Sequence, residues 1–361
     1  MPLSKIQDIG NQVVPNLGSR NVIINGAMNV AQRGTSTTGF SSSSPTYVTD
    51  RFFTVANNYG TYTLTQETDS PDDFQHSFKI DCTTADASPA ASDYLFFHHR
   101  LEGQDLQIFN YGSSSAKTMT LSFYVKSNKT GNGSVGFLQT NNSFKHQSHQ
   151  YTINAANTWE RKSVTIVGDT SGVISDITGR GFEIEFFLGG GTTYTSGSHQ
   201  TTWTALSNGN RGASNLTIGT STDDFWSITG IQLEIGQNPT EFEHRSFAEE
   251  LALCERYYQR WQAGQTYDYV CNGSMATDTR FFGMYQLSPD MRDDPTMNFN
   301  GTFKVNAQNG DMDASNFALN RATNMNVAFY CDTTDANRVG NGALFRAGSD
   351  ADAYVEFISE I

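Results

Sequence analysis

Residues 225–260 read FWSITGIQLEIGQNPTEFEHRSFAEELALCERYYQR, and this stretch decides the fold. It opens as a strand. Trp226 and Ile228 share one parity; past Thr229-Gly230, the apolar positions Ile231, Leu233 and Ile235 share the other. Successive strand residues face opposite sides, so a parity switch at a glycine marks a β-bulge, which re-aims the strand without ending it. Pro239 has no N–H to give a ladder and closes the strand. A helix is predicted next. Ser246 is an N-cap with Glu249 placed for a capping box. Phe247, Leu251, Cys254, Tyr258 and Trp261 recur at steps of four and three over 246–261, the spacing of a narrow apolar seam. A β-rich body ends here and a short connecting helix leads out of it.

Composition agrees. The chain has 361 residues with 32 Gly, 25 Phe and 15 Tyr, the make-up of many short strands joined by turns. That length exceeds one ordinary core and predicts two domains. Mean hydropathy of -0.46 and the lack of an apolar run near ~18 residues predict no membrane insertion. MPLSKIQDIG carries no apolar signal core, so synthesis in a host cytoplasm is expected. A net charge of -14 argues against a nucleic-acid partner, because phosphate contacts need Lys and Arg. Cys82, Cys254, Cys271 and Cys331 show no zinc-ligand spacing. Four free thiols are expected, with a Cys271–Cys331 pair left open by the spacing.

In chain order, residues 1–20 form an arm. Leu3, Ile6, Ile9 and Val13 are too apolar for a free tail, and they either pack on their own domain or anchor the chain to another protein. Residues 21–245 read as strands. Met119, Leu121, Phe123 and Val125 alternate with polar partners, as do Phe182, Ile184, Phe186 and Leu188 with Glu183 and Glu185. The fold class is all-β: a jelly-roll-like antiparallel β-sandwich over 21–245, the connecting helix at 246–261, and a second, smaller β-sandwich over 262–361.

Candidate chemistry is sparse. Glu183 and Glu185 point to one face of a strand, but a glycosidase pair must flank a cleft, and an outer solubilising face is the expectation. His98 and His99 are adjacent on a strand and face opposite sides. His146 and His149 are expected in a polar loop. No nucleophile elbow or zinc-protease motif is present, so no enzyme, no catalytic residue and no cofactor are predicted. Calcium is a further option, with Asp50 and Asp81 as candidate ligands but no assembled set. Flat aromatic rings suit the C–H faces of sugars, and Tyr194, Trp203 and Tyr59 lie among Thr, Ser, Asn and Gln that could hydrogen-bond hydroxyls. The competing account is that such rings plug the core.

Three segments carry a resemblance: NVIINGAMNVAQRGTS at 21–36, RLEGQDLQIFNYGSSSAKTMTLSFYVKSNKTG at 100–131, and TGIQLEIG…TEFEHRSFAEELALCERYYQ within the opening stretch. Together they are similar to tailed-bacteriophage virion proteins of the tail fibre or minor tail protein type. The resemblance implies a homotrimeric virion protein, joined to other virion proteins through its arm and attaching to a host cell-surface glycan. A capsid-exterior decoration or head-fibre protein shares these features, and a polysaccharide depolymerase is a third reading.

Overall fold

The computed structural model describes residues 20–141, 144–308, 310–334 and 339–361. Leu3, Ile6, Ile9 and Val13 of the arm lie outside them.

The larger body is a jelly-roll-like sandwich of two antiparallel sheets. One runs, in spatial order, β1 (Ser36–Phe40), β4 (Thr61–Glu67), β5 (Ser77–Thr84), β13 (Phe225–Ile235), β7 (Met119–Ser127) and β10 (Glu160–Ile166). The other runs β12 (Thr204–Ala205), β9 (Lys145–Ile153), β8 (Gly131–Gln139), β11 (Arg180–Gly190), β6 (Tyr94–Glu102), β3 (Phe52–Asn57) and β2 (Thr46–Tyr47). The alternating apolar residues meet between the sheets. Trp226 packs 5.5 Å from Phe97, and Phe123 packs 5.0 Å from Phe186, with all four rings buried.

β13 is the hinge of the design. Its register against β7 breaks between Thr229 and Gln232, and Gly230 sits at φ 62°, the expected bulge. Ile228, Ile231 and Leu233 all stay in the core across it. Before the bulge β13 pairs with β5; beyond it, residues 21–26 take over that edge. Val22 N donates to Leu233 O (3.2 Å), Ile231 N to Gly26 O (2.9 Å), and Asn21 bonds both Ile231 O and Leu233 N. Two of the segments that carry the resemblance are therefore hydrogen-bonded to each other.

The capping box forms as read, with Ser246 and Glu249 exchanging bonds, but α2 spans only Phe247–Glu255. Tyr258 and Trp261 are not helical: β14 (Tyr258–Gln262) pairs with β22 (Tyr354–Ile358), which pairs with β17 (Thr296–Asn300). A strand partner about a hundred residues away outweighs the local helical spacing. The narrow apolar seam read over 246–261 is thereby dissolved. Cys254 is buried with Tyr257, Ile24 and Val30 of its own chain, Trp261 packs on the second core, and Phe247 stays 60% exposed.

The smaller body differs from two open packed sheets. Beside the β14–β22–β17 sheet, six strands close into a barrel: β15 (Tyr269–Thr277), β16 (Arg280–Gln286), β20 (Asn326–Thr333), β19 (Gly310–Ala322), β18 (Phe303–Ala307) and β21 (Gly342–Ala347). Phe281, Phe303, Phe329 and Phe345 fill it. Closure leaves no free edge among these six strands. The four cysteines are free thiols, so Cys271 and Cys331 do not pair.

The two bodies are tied by arginines. Arg51 and Arg33 both reach Glu360, Arg256 grips Glu102 at 2.7 Å, and Arg33 lies 3.6 Å over the Tyr258 ring.

Candidate glycan-binding groove

The three rings singled out from sequence do not form a site. Tyr59 is fully buried, with the Tyr62 hydroxyl bonded to its carbonyl. Trp203 is a plug. Its Nε1 donates to Val167 O (2.7 Å) and its ring sits 5.9 Å from Phe182 against the core. Tyr194, on α1 (Thr192–Thr195), leans edge-on against Tyr94 and Phe96. No ring contact joins the three among the described residues. Core plugging holds for Tyr59 and Trp203.

The outer face of the seven-stranded sheet is covered and charged. Glu183 and Glu185 are buried there, contrary to a solubilising role. Arg180 Nη1 (2.7 Å), Arg100 Nε (3.1 Å) and His98 Nδ1 (2.7 Å) surround Glu183. Arg211 grips Glu185 with Nε (2.8 Å) and Nη2 (2.6 Å), and His146 Nε2 approaches within 3.3 Å. Burial pushes the Glu183 carboxyl up, but His98 and Arg100 outweigh it and hold it at about 2. Burial acts likewise on Glu185, which Arg211 and His146 hold well below the usual carboxylate range. Two carboxylates kept ionised cannot serve as a general acid near neutrality. Ligand atoms of His98, Glu183 and Glu185 lie within 4.8 Å of one another, close enough for a cation. Both carboxylates already have guanidinium partners, however, so the donor set fits an arginine network instead. His146 and His149 lie on β9, not in a loop. Of the calcium candidates, Asp50 is buried and bonded to Gln32, while Asp81 sits beside Lys79 at 3.2 Å. The two are not brought together.

An open groove lies instead on the outer face of the six-stranded sheet, over the β13 bulge. Gly230 has no side chain there, and a Cβ on it would fall 2.7 Å from Phe74 Cζ and 2.9 Å from Tyr124 Cδ2. That gap admits the Phe74 ring. The ring is held by a turn: Phe74 N donates to Pro71 O (3.2 Å) and Ser70 Oγ to Phe74 O (2.7 Å), with Asp73 at φ 72°. From the other side come Phe242 and His244. Outward-facing polar residues of β13 clamp their segment down. Glu234 accepts from Thr240 N (2.8 Å) and Thr240 Oγ1 (2.7 Å), and Gln232 Oε1 accepts from Glu243 N (2.8 Å).

The result is a half-exposed aromatic cluster. Phe74 lies 5.0 Å from Phe242, 5.1 Å from His244 and 5.3 Å from Tyr124. Two adjoining clefts, ≈ 310 and ≈ 320 Å³, share Asp73, Phe74 and His244. The first is also lined by Asn29, His76 and Arg245, the second by Tyr124, Glu241 and Phe242. Such volumes suit a small ligand. Asp73 and His244 are exposed, and no side-chain hydrogen bond or ion pair engages either among the described residues. Sequence reading found the bulge but not these residues, because Phe74 and His244 lie about 170 positions apart. The one local hint was PDDF, a turn that ends on an aromatic.

No family model and no curated protein matches the chain. Among solved structures it is similar to the enzymatically active domain of tailspike protein 4 of bacteriophage CBA120, at 15% identity and TM-score 0.32, over 60% of this chain and 21% of that one. It is also similar to a CBM4 structure, at 14% identity and TM-score 0.30, over 59% of this chain and 98% of that one. A third is TmCBM61 in complex with β-1,4-galactotriose, at 10% identity and TM-score 0.27, over 60% of this chain and 100% of that one. Nothing about ligand or activity follows from likenesses at this level.

Proposed function

We propose that this chain is an attachment protein of a tailed-phage virion, assembled as a homotrimer, which binds a cell-surface glycan through the Phe74 groove without cleaving it. The observation that carries the binding reading is the pair of adjoining clefts sharing Phe74, Asp73 and His244. Apolar ring faces beside unengaged polar groups are what a sugar needs: C–H faces stack and hydroxyls find partners. The virion and the three-chain assembly rest on the sequence resemblance. The non-catalytic reading rests on Glu183 and Glu185, the paired carboxylates read from the sequence, being locked in arginine pairs.

A microarray of bacterial surface oligosaccharides probed with the full chain tests the binding. Phe74→Ala is expected to weaken the bound spots roughly tenfold. Undiminished binding by a folded Phe74→Ala protein would remove the groove from the reading. Release of reducing ends from a bound polysaccharide would overturn the non-catalytic part. Labelling on heads rather than tails in virion micrographs would overturn the attachment role.

A further inference from the structure

The geometry points to a second saccharide-binding surface, on the outer wall of the C-terminal barrel, taking a neutral oligosaccharide; it rests on the reading of the chain as a glycan binder. β21 lies between β15 and β18, and its inward residues Phe345 and Ala347 fill the core, so Leu344 and Arg346 face outward. Leu344 is paired with Asn272 on one side and Asn306 on the other. Arg346, two residues along, is paired with Tyr269 and Lys304. Two steps along a strand are about 7 Å, so the two rows are roughly one sugar ring apart.

The first row opens into a shallow groove of ≈ 490 Å³ whose lining includes Asn272, Gly273, Asn306, Gln308 and Leu344. Every polar side chain there is an uncharged amide. Asn272 has no side-chain partner among the described residues, and the hydrogen bonds of Asn306 and Gln308 go to Asp311 and Asn341, leaving amide capacity on each. The second row supplies the stacking surface. Tyr269 is 58% exposed and Tyr267 41%, and the Arg346 guanidinium lies 5.9 and 4.8 Å from their rings.

Charge narrows the ligand class. Arg346 is paired with Asp311, and Lys304 Nζ holds Asp313 at 2.6 Å, so the cations beside the groove are already neutralised. An acidic glycan would have to break those pairs. A neutral chain running along β21 would stack one unit on Tyr269 and present the next to the amides of Asn272, Asn306 and Gln308.

The test uses the full chain on a printed panel of neutral gluco-, galacto- and manno-oligosaccharides. Six proteins are compared: wild type, Phe74→Ala, Tyr269→Ala and Asn272→Ala, and the last two again in the Phe74→Ala background. Tyr269 is mostly exposed, so its loss should leave the fold intact, which circular dichroism checks. The expected result is neutral-oligosaccharide binding that survives Phe74→Ala and falls roughly tenfold when Tyr269→Ala or Asn272→Ala is added. Residual binding unmoved by either barrel substitution would overturn the barrel site. So would complete loss with Phe74→Ala alone, which would leave the groove on the larger body standing. Binding sensitive to the barrel changes and indifferent to Phe74→Ala would reject that groove and keep this surface. A wild type that binds nothing on the panel would overturn the inference.

Discussion

Gly230→Ala is the substitution that best couples fold to site. The glycine sits at φ 62°, where an L-residue costs about 1–2 kcal/mol. Its new Cβ would also stand 2.7 Å from Phe74 Cζ and 2.9 Å from Tyr124 Cδ2. Something must move, and Phe74 is the easier part, because its ring is half-exposed at the end of a side chain. Swinging it out forfeits its contacts with Phe242 and Tyr124, each worth ~0.5–1.5 kcal/mol. The expected loss of stability is therefore about 2–5 kcal/mol, with glycan binding falling as far as in Phe74→Ala. Gly26→Ala is the control: its Cβ would meet the Ile231 carbonyl oxygen at 2.1 Å, which is backbone and cannot swing aside. It should unfold more readily than Gly230→Ala. Urea unfolding reads the first quantity and the oligosaccharide array the second. A folded Gly230→Ala protein that binds as tightly as wild type would refute the claim that the bulge builds the groove.

Other consequences can be measured directly. Glu185→Gln removes the partner of a buried guanidinium, so denaturant unfolding should show a loss of ~3–5 kcal/mol; a loss below ~1 would mean that Arg211 finds another partner. His149 is held neutral by burial, with His199 and His146 adding to the effect, and its pKa falls from 6.5 to about 4. The unfolded chain thus binds more protons below 6.5, and stability is lost as pH falls from about 6.5 toward 4. At pH 5 this amounts to roughly 2 kcal/mol, before the depressed carboxylates Glu183 and Asp169, both at about 2, begin to lose theirs below about 4.5. His149→Gln should flatten the slope between pH 5 and 6.5, and an unchanged slope would assign it elsewhere. In light scattering the proposed trimer should give three times 39.8 kDa; the single-chain mass at every concentration would reject it.

What was legible in the sequence was what is local. The parity switch at Gly230, the stop over Gly236-Gln237-Asn238-Pro239 and the Ser246–Glu249 capping box depend on neighbours within a few positions, and all three stand in the structure. Tyr258 and Trp261 misled because a step of three in a strand puts two residues on opposite faces, and both find packing here: Tyr258 is buried and Trp261 packs on the second core. Tyr258 pairs with Ile358 and Trp261 with Val355, partners no window of sequence contains. Barrel closure is equally non-local, since β15 and β21 are joined only when the last strand of the ring returns. The ligand rings failed for another reason. Tyr59 and Tyr194 sit in similar polar surroundings in the sequence, yet one lies under Gly189 and Gly219 in the core and the other on a surface turn. Glycines that let a backbone approach a ring are visible only once the sheets are stacked.

The same contrast says where specificity should be sought. Of the segments that resemble tail proteins, the first carries two residues committed to the joint. Gln32 reaches Tyr258 O, and Arg33 lies over the Tyr258 ring and pairs with Glu360. Changing these residues would separate the two bodies whatever the ligand. Asp73 and Phe74 lie outside those segments, on a loop whose backbone is fixed by Ser70 and Pro71 while its side chains stay half or fully exposed. Loops on a rigid scaffold can vary without unfolding it. Exchanging Asp72, Asp73, Gln75 and His76 around a retained Phe74 should therefore alter which glycan is bound and leave unfolding within about 1 kcal/mol of wild type, whereas Gln32→Ala combined with Arg33→Ala should do the reverse.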